Sequence, residues 1–261
     1  MSDIITERSD GILRVEFNRP QKKNAMTGGM YTRLAEILNE AAEDEETRVV
    51  LWHSAGDAFS AGNDAGDFLK NPPGFGESPQ ARLMDAFVKF EKPIVVAVQG
   101  VAVGGGTTML THCDVVYAGE SARFQLPFIN LALVPEFGSS YSIPARIGYL
   151  RAAELYLLGE PFGAARAAEL GLVTRVVPDA HLFATALETA KKLAAKPGGA
   201  LRANKRLLKQ GFIDQVKAAI AVEGQEFSER VRSAEAKEAL SAFLEKRPPN
   251  FKRTATPVAA E

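Results

Sequence analysis

The sequence predicts an α/β protein whose N-terminal part alternates strands and helices and whose C-terminal part is helical. Three observations carry this. β-Branched or alternating runs at 12–17, 48–52, 93–98 and 114–117 read as strands, with helix-patterned segments between them. Such alternation implies parallel pairing through crossover helices. From about Ser139 onward the pattern is helical almost throughout, the exception being the strand-like piece 172–177.

Each element has a local reason. Residues 12–17 (ILRVEF) alternate apolar and polar, and Asn18-Arg19-Pro20 ends the run. Thr27 is placed to cap a helix running to about Glu43, with Met30, Leu34, Ile37, Leu38 and Ala41 on one face. Residues 48–52 (RVVLW) and 93–98 (PIVVAV) read as buried strands. Residues 54–67, rich in Gly, Ala, Asp and Ser, read as a loop, as do 69–79, the most loop-like stretch. A helix is expected from about Gln80 to Phe90. Gly100 to Gly106 turns the chain into another helix starting near Gly105 or Gly106. Further helices are expected near 149–158, 163–170, 180–195, 199–211, 215–230 and 233–245. No internal repeat or linker divides the 261 residues, a length that suits about one or two domains.

Composition excludes several functions. Lys+Arg 31 against Asp+Glu 32 gives a net charge of −1, which lacks the basic excess of a nucleic-acid footprint. Cys113 stands alone, and His53, His112 and His181 fit no metal spacing, so neither a disulfide nor a metal site is expected. The longest apolar stretch, 93–106, is too short and glycine-rich to span a bilayer. Met1 to Asp10 carry no secretory pattern, and Pro257 to Glu261 do not read as a peroxisomal address; the expected location is the cytoplasm.

Two glycine-bearing loops each follow an expected buried strand: Phe59-Ser60-Ala61-Gly62-Asn63-Asp64, and Gly100-Val101-Ala102-Val103-Gly104-Gly105-Gly106. Neither is a dinucleotide fingerprint or a P-loop. Two readings stand. The glycines either present backbone N–H donors to a developing oxyanion or simply permit tight helix–strand packing. Glu136, in the apolar run Leu131-Ala132-Leu133-Val134-Pro135-Glu136-Phe137-Gly138, also has two readings. It is a carboxyl with a raised pKa suited to proton transfer, or a charge that complements the helix beginning near Gly138. Ser139 and Ser140 read as helix caps. A Ser–His–Asp arrangement from Ser60, Ser139 or Ser140 with His112 has no G-x-S-x-G behind it.

With Asn18-Arg19-Pro20, Asn24-Ala25-Met26, both glycine loops, Cys113-Asp114, Gly148, Ala152, Glu154, Leu157, Gly159, Ala167-Ala168-Glu169-Leu170-Gly171-Leu172-Val173 and Ala242-Phe243-Leu244-Glu245-Lys246-Arg247 in this order, the chain resembles the crotonase (enoyl-CoA hydratase/isomerase) superfamily. The resemblance implies a crotonase fold, a spiral of ββα units. Residues 1–195 would form the core and 196–261 a helical trimerisation region of the same unit, giving a homotrimer or dimer of trimers. It implies an acyl-CoA thioester as substrate, with no separate cofactor. The backbone N–H groups of Asn63 and Gly105 would form the oxyanion hole. Ala25, Ala61, Asp64, Phe128, Leu131, Phe243 and Lys246 would contact the substrate.

Hydratases of that superfamily place carboxylates where this chain has Thr108 and Phe128. With Glu136 as the remaining carboxylate, the chain is most similar to the peroxisomal-type Δ3-Δ2-enoyl-CoA isomerases. That resemblance implies a Glu136-mediated shift of a proton from C2 to C4 of a 3-enoyl-CoA. The alternatives are hydratase-like chemistry, ring-epoxide acyl-CoA isomerisation, or acyl-CoA binding without catalysis. The loop 71–79 is expected to shape the acyl pocket, and Lys22 and Lys23 to approach a CoA phosphate or remain solvated.

Overall fold

A computed structural model describes residues 2–71, 74 and 76–253. Met1, Pro72, Pro73, Phe75 and 254–261 lie outside the described residues, and with them part of the expected pocket loop and the last residues, which are not expected to carry an address.

The elements in order are β1 (Ile4–Ser9), β2 (Ile12–Phe17), α1 (Gly28–Glu43), β3 (Val49–Ser54), β4 (Ala58–Ser60), α2 (Ala65–Lys70), α3 (Pro79–Lys89), β5 (Ile94–Val98), β6 (Val101–Val103), α4 (Gly105–Thr108), β7 (Val115–Gly119), β8 (Arg123–Gln125), α5 (Ser139–Ile147), α6 (Tyr149–Leu158), β9 (Phe162–Gly163), α7 (Ala164–Glu169), β10 (Arg175–Val177), α8 (Leu182–Ala194), α9 (Gly198–Gln210), α10 (Ile213–Arg230) and α11 (Ala234–Leu244). Among the described residues the strands form two sheets, ordered β1-β2-β3-β5-β7-β10 and β4-β6-β8-β9. All pairings are parallel except β1 with β2 and β8 with β9. From β3 to β8, each turn of the chain lays one strand in the large sheet and the next in the small sheet, then returns through helix. This is the ββα spiral that the sequence resemblance implies.

The large sheet is buried on both faces, which explains why its central strands are continuous apolar runs. On one face Val50, Trp52, Ile94, Val96 and Val98 join α1 and α3 in the main core. On the other, Val49, Leu51, Val95 and Ala97 pack on Leu182, Ala186 and Ala190 of α8. Trp52 centres the main core, with its ring 5.2 Å from Phe17 and 5.7 Å from Phe87. Phe227 and Val231 of α10 and Ala236 and Leu240 of α11 share a further cluster with Phe68, Phe128, Leu133 and Ile143. The C-terminal helices therefore also wall the region around the glycine loops.

The boundaries follow local chemistry. Thr27 caps α1 by accepting from Met30 N, Ser78 caps α3 by accepting from Ala81 N, and Asp64 caps α2 by accepting from Gly66 N and Asp67 N. Several strands differ from expectation. β1 is an edge strand with only Ile4 buried, so it shows no apolar period; its signal is the Asp10-Gly11 turn, where both residues have positive φ (53° and 75°). The segments read as loops at 54–67 and 100–106 contain β4 and β6, and the first also contains the cap and start of α2. β4, β6 and β8 have only three residues each and β9 two, too short for periodicity to register.

Gly100 makes the tight passage from β5 to β6. Its φ is +56°, and a Cβ there would lie 1.8 Å from Asp57 O. Gly100→Ala is expected to lower stability by about 3 kcal/mol or more, because both backbone strain and a main-chain clash act at once. A urea melt that moves by less than about 1 kcal/mol would contradict this placement.

Candidate functional site

The first glycine loop leaves β4 and is stitched to residues 23–26: Ala61 N donates to Lys23 O (2.9 Å), Met26 N to Gly62 O (2.7 Å) and Asp64 N to Met26 O (2.9 Å). These bonds use the groups on either side of Asn63 and not its own N–H. The second loop leaves β6 through Gly104 (φ 54°), and Gly105 is the first residue of α4. A first-turn N–H has no intrahelical acceptor. The loops abut, because Gly62 has φ +82° and a Cβ there would lie 2.7 Å from Val103 O. Tyr31 OH donates to Asn63 Oδ1 at 2.8 Å, fixing the orientation of that side chain.

Glu136 comes to the same place by a different route. Phe137 (φ 64°) and Gly138 (φ 67°) are consecutive left-handed residues between Glu136 and α5. Phe137, a bulky residue in a conformation that favours glycine, is fully buried, with its ring 6.2 Å from that of Phe87. His112 Nε2 donates to Phe137 O at 2.8 Å. Burial holds the His112 imidazole neutral, its pKa lowered to about 3. Gly138 is required, since a Cβ would meet Val216 of α10 at 2.8 Å.

The Glu136 carboxyl is only 4% exposed, and Oε1 is buried without a hydrogen-bonding partner among the described residues. A Cβ on Gly105 would lie 2.8 Å from that oxygen and 3.0 Å from Tyr31 OH. The carboxyl thus faces the glycine turn directly. Burial, and then the charge of Glu223, push its pKa up to about 8. Tyr31, also buried, is pushed well above the usual phenol value and stays neutral.

Glu136 stands between two cavities. The first, about 340 Å³, is lined by Ala61, Asn63, Gly105, Phe128, Leu131 and, at its mouth, Phe243. The second, about 250 Å³, is lined by Met84 of α3 and by Ile220, Glu223 and Phe227 of α10. An apolar chamber with two backbone donors and one buried carboxyl can polarise a carbonyl and exchange a proton at the adjacent carbon.

The structure does not bring every expected residue here. Asp64 caps α2 and pairs with Arg19 at 2.7 Å, with its side chain turned to that pairing. Ala25 O accepts from the same guanidinium at 2.9 Å, and neither Ala25 nor Asp64 lines the first cavity. Lys246 is exposed beyond α11 and likewise does not line it. Lys23 is paired with Asp57. Thr108 is fully buried, its hydroxyl donating to Gly104 O at 3.3 Å within its own helix.

One expectation is corrected outright. Neither Ser139 nor Ser140 caps α5. Gly138 is the cap residue, and the open N–H groups of Gly138 and Ser140 donate to Glu223 Oε2 and Oε1 at 2.6 and 2.7 Å. The acid at this helix start is therefore Glu223 and not Glu136, because the left-handed turn carries the Glu136 side chain into the cavity. Glu223 and Tyr31 were not identified from sequence. The signal for Glu223 was present: it interrupts the buried stripe Val216, Ile220, Phe227 of α10 at helical spacing.

A model of the enoyl-CoA hydratase/isomerase family matches residues 7–254. The chain is 33% identical over 258 residues to the 1,2-epoxyphenylacetyl-CoA isomerase of Escherichia coli K12, covering 96% of this chain and 98% of that one. It is 34% identical over 252 residues to enoyl-CoA delta isomerase 2 of Rattus norvegicus, covering 94% of this chain and 64% of that longer protein. Proteins named as hydratases match at the same level of identity. The crystal structure of an enoyl-CoA hydratase/isomerase from Pseudoalteromonas atlantica T6c superposes with a TM-score of 0.90 at 40% identity, covering 96% of this chain and 100% of that one. Fold, glycine turns and sequence agree that this chain belongs to the enoyl-CoA hydratase/isomerase family of crotonase-fold acyl-CoA enzymes.

Proposed function

We propose that this protein is a Δ3-Δ2-enoyl-CoA isomerase in which Glu136 moves a proton from C2 to C4 of a 3-enoyl thioester. The observation that carries the reading is the buried carboxyl of Glu136 facing Gly105, its Oε1 unpartnered among the described residues, with Thr108 and Phe128 at the positions where hydratases of the family are expected to keep carboxylates. The thioester oxygen sits between the N–H groups of Asn63 and Gly105. Ionised Glu136 takes a C2 proton, and the two donors hold the charge of the resulting dienolate. The same carboxyl, now protonated, gives the proton to C4, yielding trans-2-enoyl-CoA. Proton and double bond balance without water, metal or redox cofactor. The apolar wall of Phe128, Leu131 and Leu133 keeps water from adding to the product. Exposed Leu150, Leu157, Leu207 and Leu208 on α6 and α9 leave apolar surface for self-association, for which the resemblance implies a homotrimer or dimer of trimers.

The 1,2-epoxyphenylacetyl-CoA isomerase relative favours a second reading, ring-epoxide isomerisation with the same carboxyl. Comparing straight-chain 3-enoyl-CoA with the ring substrate separates the two.

Glu136→Gln is expected to lower turnover of 3-enoyl-CoA by about 10³-fold while acyl-CoA binding persists. Ultraviolet detection of the 2-enoyl thioester reads the loss, and unchanged turnover would sink the assignment. Because the base works ionised and its pKa is raised to about 8, kcat/KM should climb with pH through that value. A profile already flat from pH 6 upward would exclude Glu136 as the base. Gly105→Ala places a methyl 2.8 Å from Glu136 Oε1 and should cost about 10²-fold in kcat with the fold retained by circular dichroism. Full activity in this variant would show that the carboxyl does not work from its observed position.

A further inference from the structure

The carboxylate of Glu223 is not part of the proton shuttle above, yet the molecule invests much in placing it. It lies on the inner face of α10, buried to 6% exposure, between Ile220 and Phe227. Both of its oxygens are used, one on Gly138 N and one on Ser140 N. These amides belong to the backbone that turns left-handed at Phe137 and Gly138 just after Glu136. α10 is pressed so closely on this turn that Gly138 has no room for a side chain. Glu223 and Glu136 line the same apolar cavity.

We propose that Glu223 is a positioning residue of the site: it anchors the turn that carries Glu136 and keeps a second negative charge beside that carboxyl. The proposal rests on Glu136 being the base. The geometry gives Glu223 two separable effects. Its hydrogen bonds hold the two left-handed residues, and so the direction of the Glu136 side chain. Its charge opposes ionisation of Glu136 across a medium that screens poorly.

The other titratable groups around Glu136 do not compete with this effect. Tyr31, from α1, and Tyr156, from α6, are phenols kept neutral by burial. His112 is neutral and committed to Phe137 O. Arg247, at the mouth of the first cavity, is paired with Glu238 and Glu245. The same burial that acts on Glu136 also raises Glu223, but the donated bonds from Gly138 and Ser140 pull it back toward the ionised form.

Infrared titration of the Glu136 carboxyl tests this without relying on turnover. The protonated C=O band is assigned by its loss in Glu136→Gln. In the wild-type protein its midpoint should lie at about 8. In Glu223→Gln it should fall by about one pH unit, since the charge is gone, while in Glu223→Asp, which draws the charge back by one methylene, it should fall by less. In both variants kcat at saturating pH should drop about tenfold with KM changed less than about twofold, as expected for a misdirected catalytic group. A midpoint unmoved in the folded Gln variant overturns the proposal. Should that variant not fold, an unmoved midpoint in the Asp variant does so. If instead Glu136→Gln proves fully active, the base assignment fails independently of how the band titrates.

Discussion

Two consecutive left-handed residues, Phe137 and Gly138, decide where the Glu136 carboxyl goes. A buried phenylalanine in that conformation costs of order 1–3 kcal/mol and persists only where its surroundings determine it. Here they do so from three sides. His112 donates to Phe137 O, Glu223 accepts from Gly138 N and Ser140 N, and the Phe137 ring is closed in by Phe87, Tyr31 and His112. These contacts fix the turn from several directions at once, while the buried Glu223 carboxyl carries its own desolvation cost. The strained turn, its polar clamps and the buried carboxyl form one physical unit.

The opposite wall of the site obeys a different constraint. There the backbone itself must come close, so side chains are removed at Gly62, Gly100 and Gly105. The consequence is reach: the Glu136 oxygen lies 2.8 Å from where a Cβ of residue 105 would be, closer than a side chain there would allow. Tyr31 ties the two glycine turns together, donating to Asn63 Oδ1 while its hydroxyl stands 3.0 Å from the same Cβ position on Gly105. The main core behind this wall, centred on Trp52 and bounded by α1 and α3, keeps the loops from relaxing.

Much of the fold was legible because its signals are local. The strands of the large sheet are buried on both faces and so read as apolar runs, and α1 and α3 carry their own caps in Thr27 and Ser78. The small sheet was not legible. Three-residue strands such as β4, β6 and β8 owe their existence to neighbours from distant parts of the chain, as when Ala58 pairs with Val101 and Val103 with Gln125. Likewise Asp64 reads as a binding candidate from its motif, and its pairing with Arg19, 45 residues away, is a contact that no local window shows.

The sequence by itself determined the α/β class, the two glycine turns and the presence of Glu136 in an apolar run, because each follows from residue type and spacing within a short window. Only the tertiary structure decided that Glu136 faces Gly105 and that Glu223, 85 residues from Gly138, occupies the helix start first ascribed to Ser139 and Ser140. The reason is physical. Burial and the charge of a neighbouring carboxylate depend on which surfaces meet across the core, and no local window of the chain contains both partners.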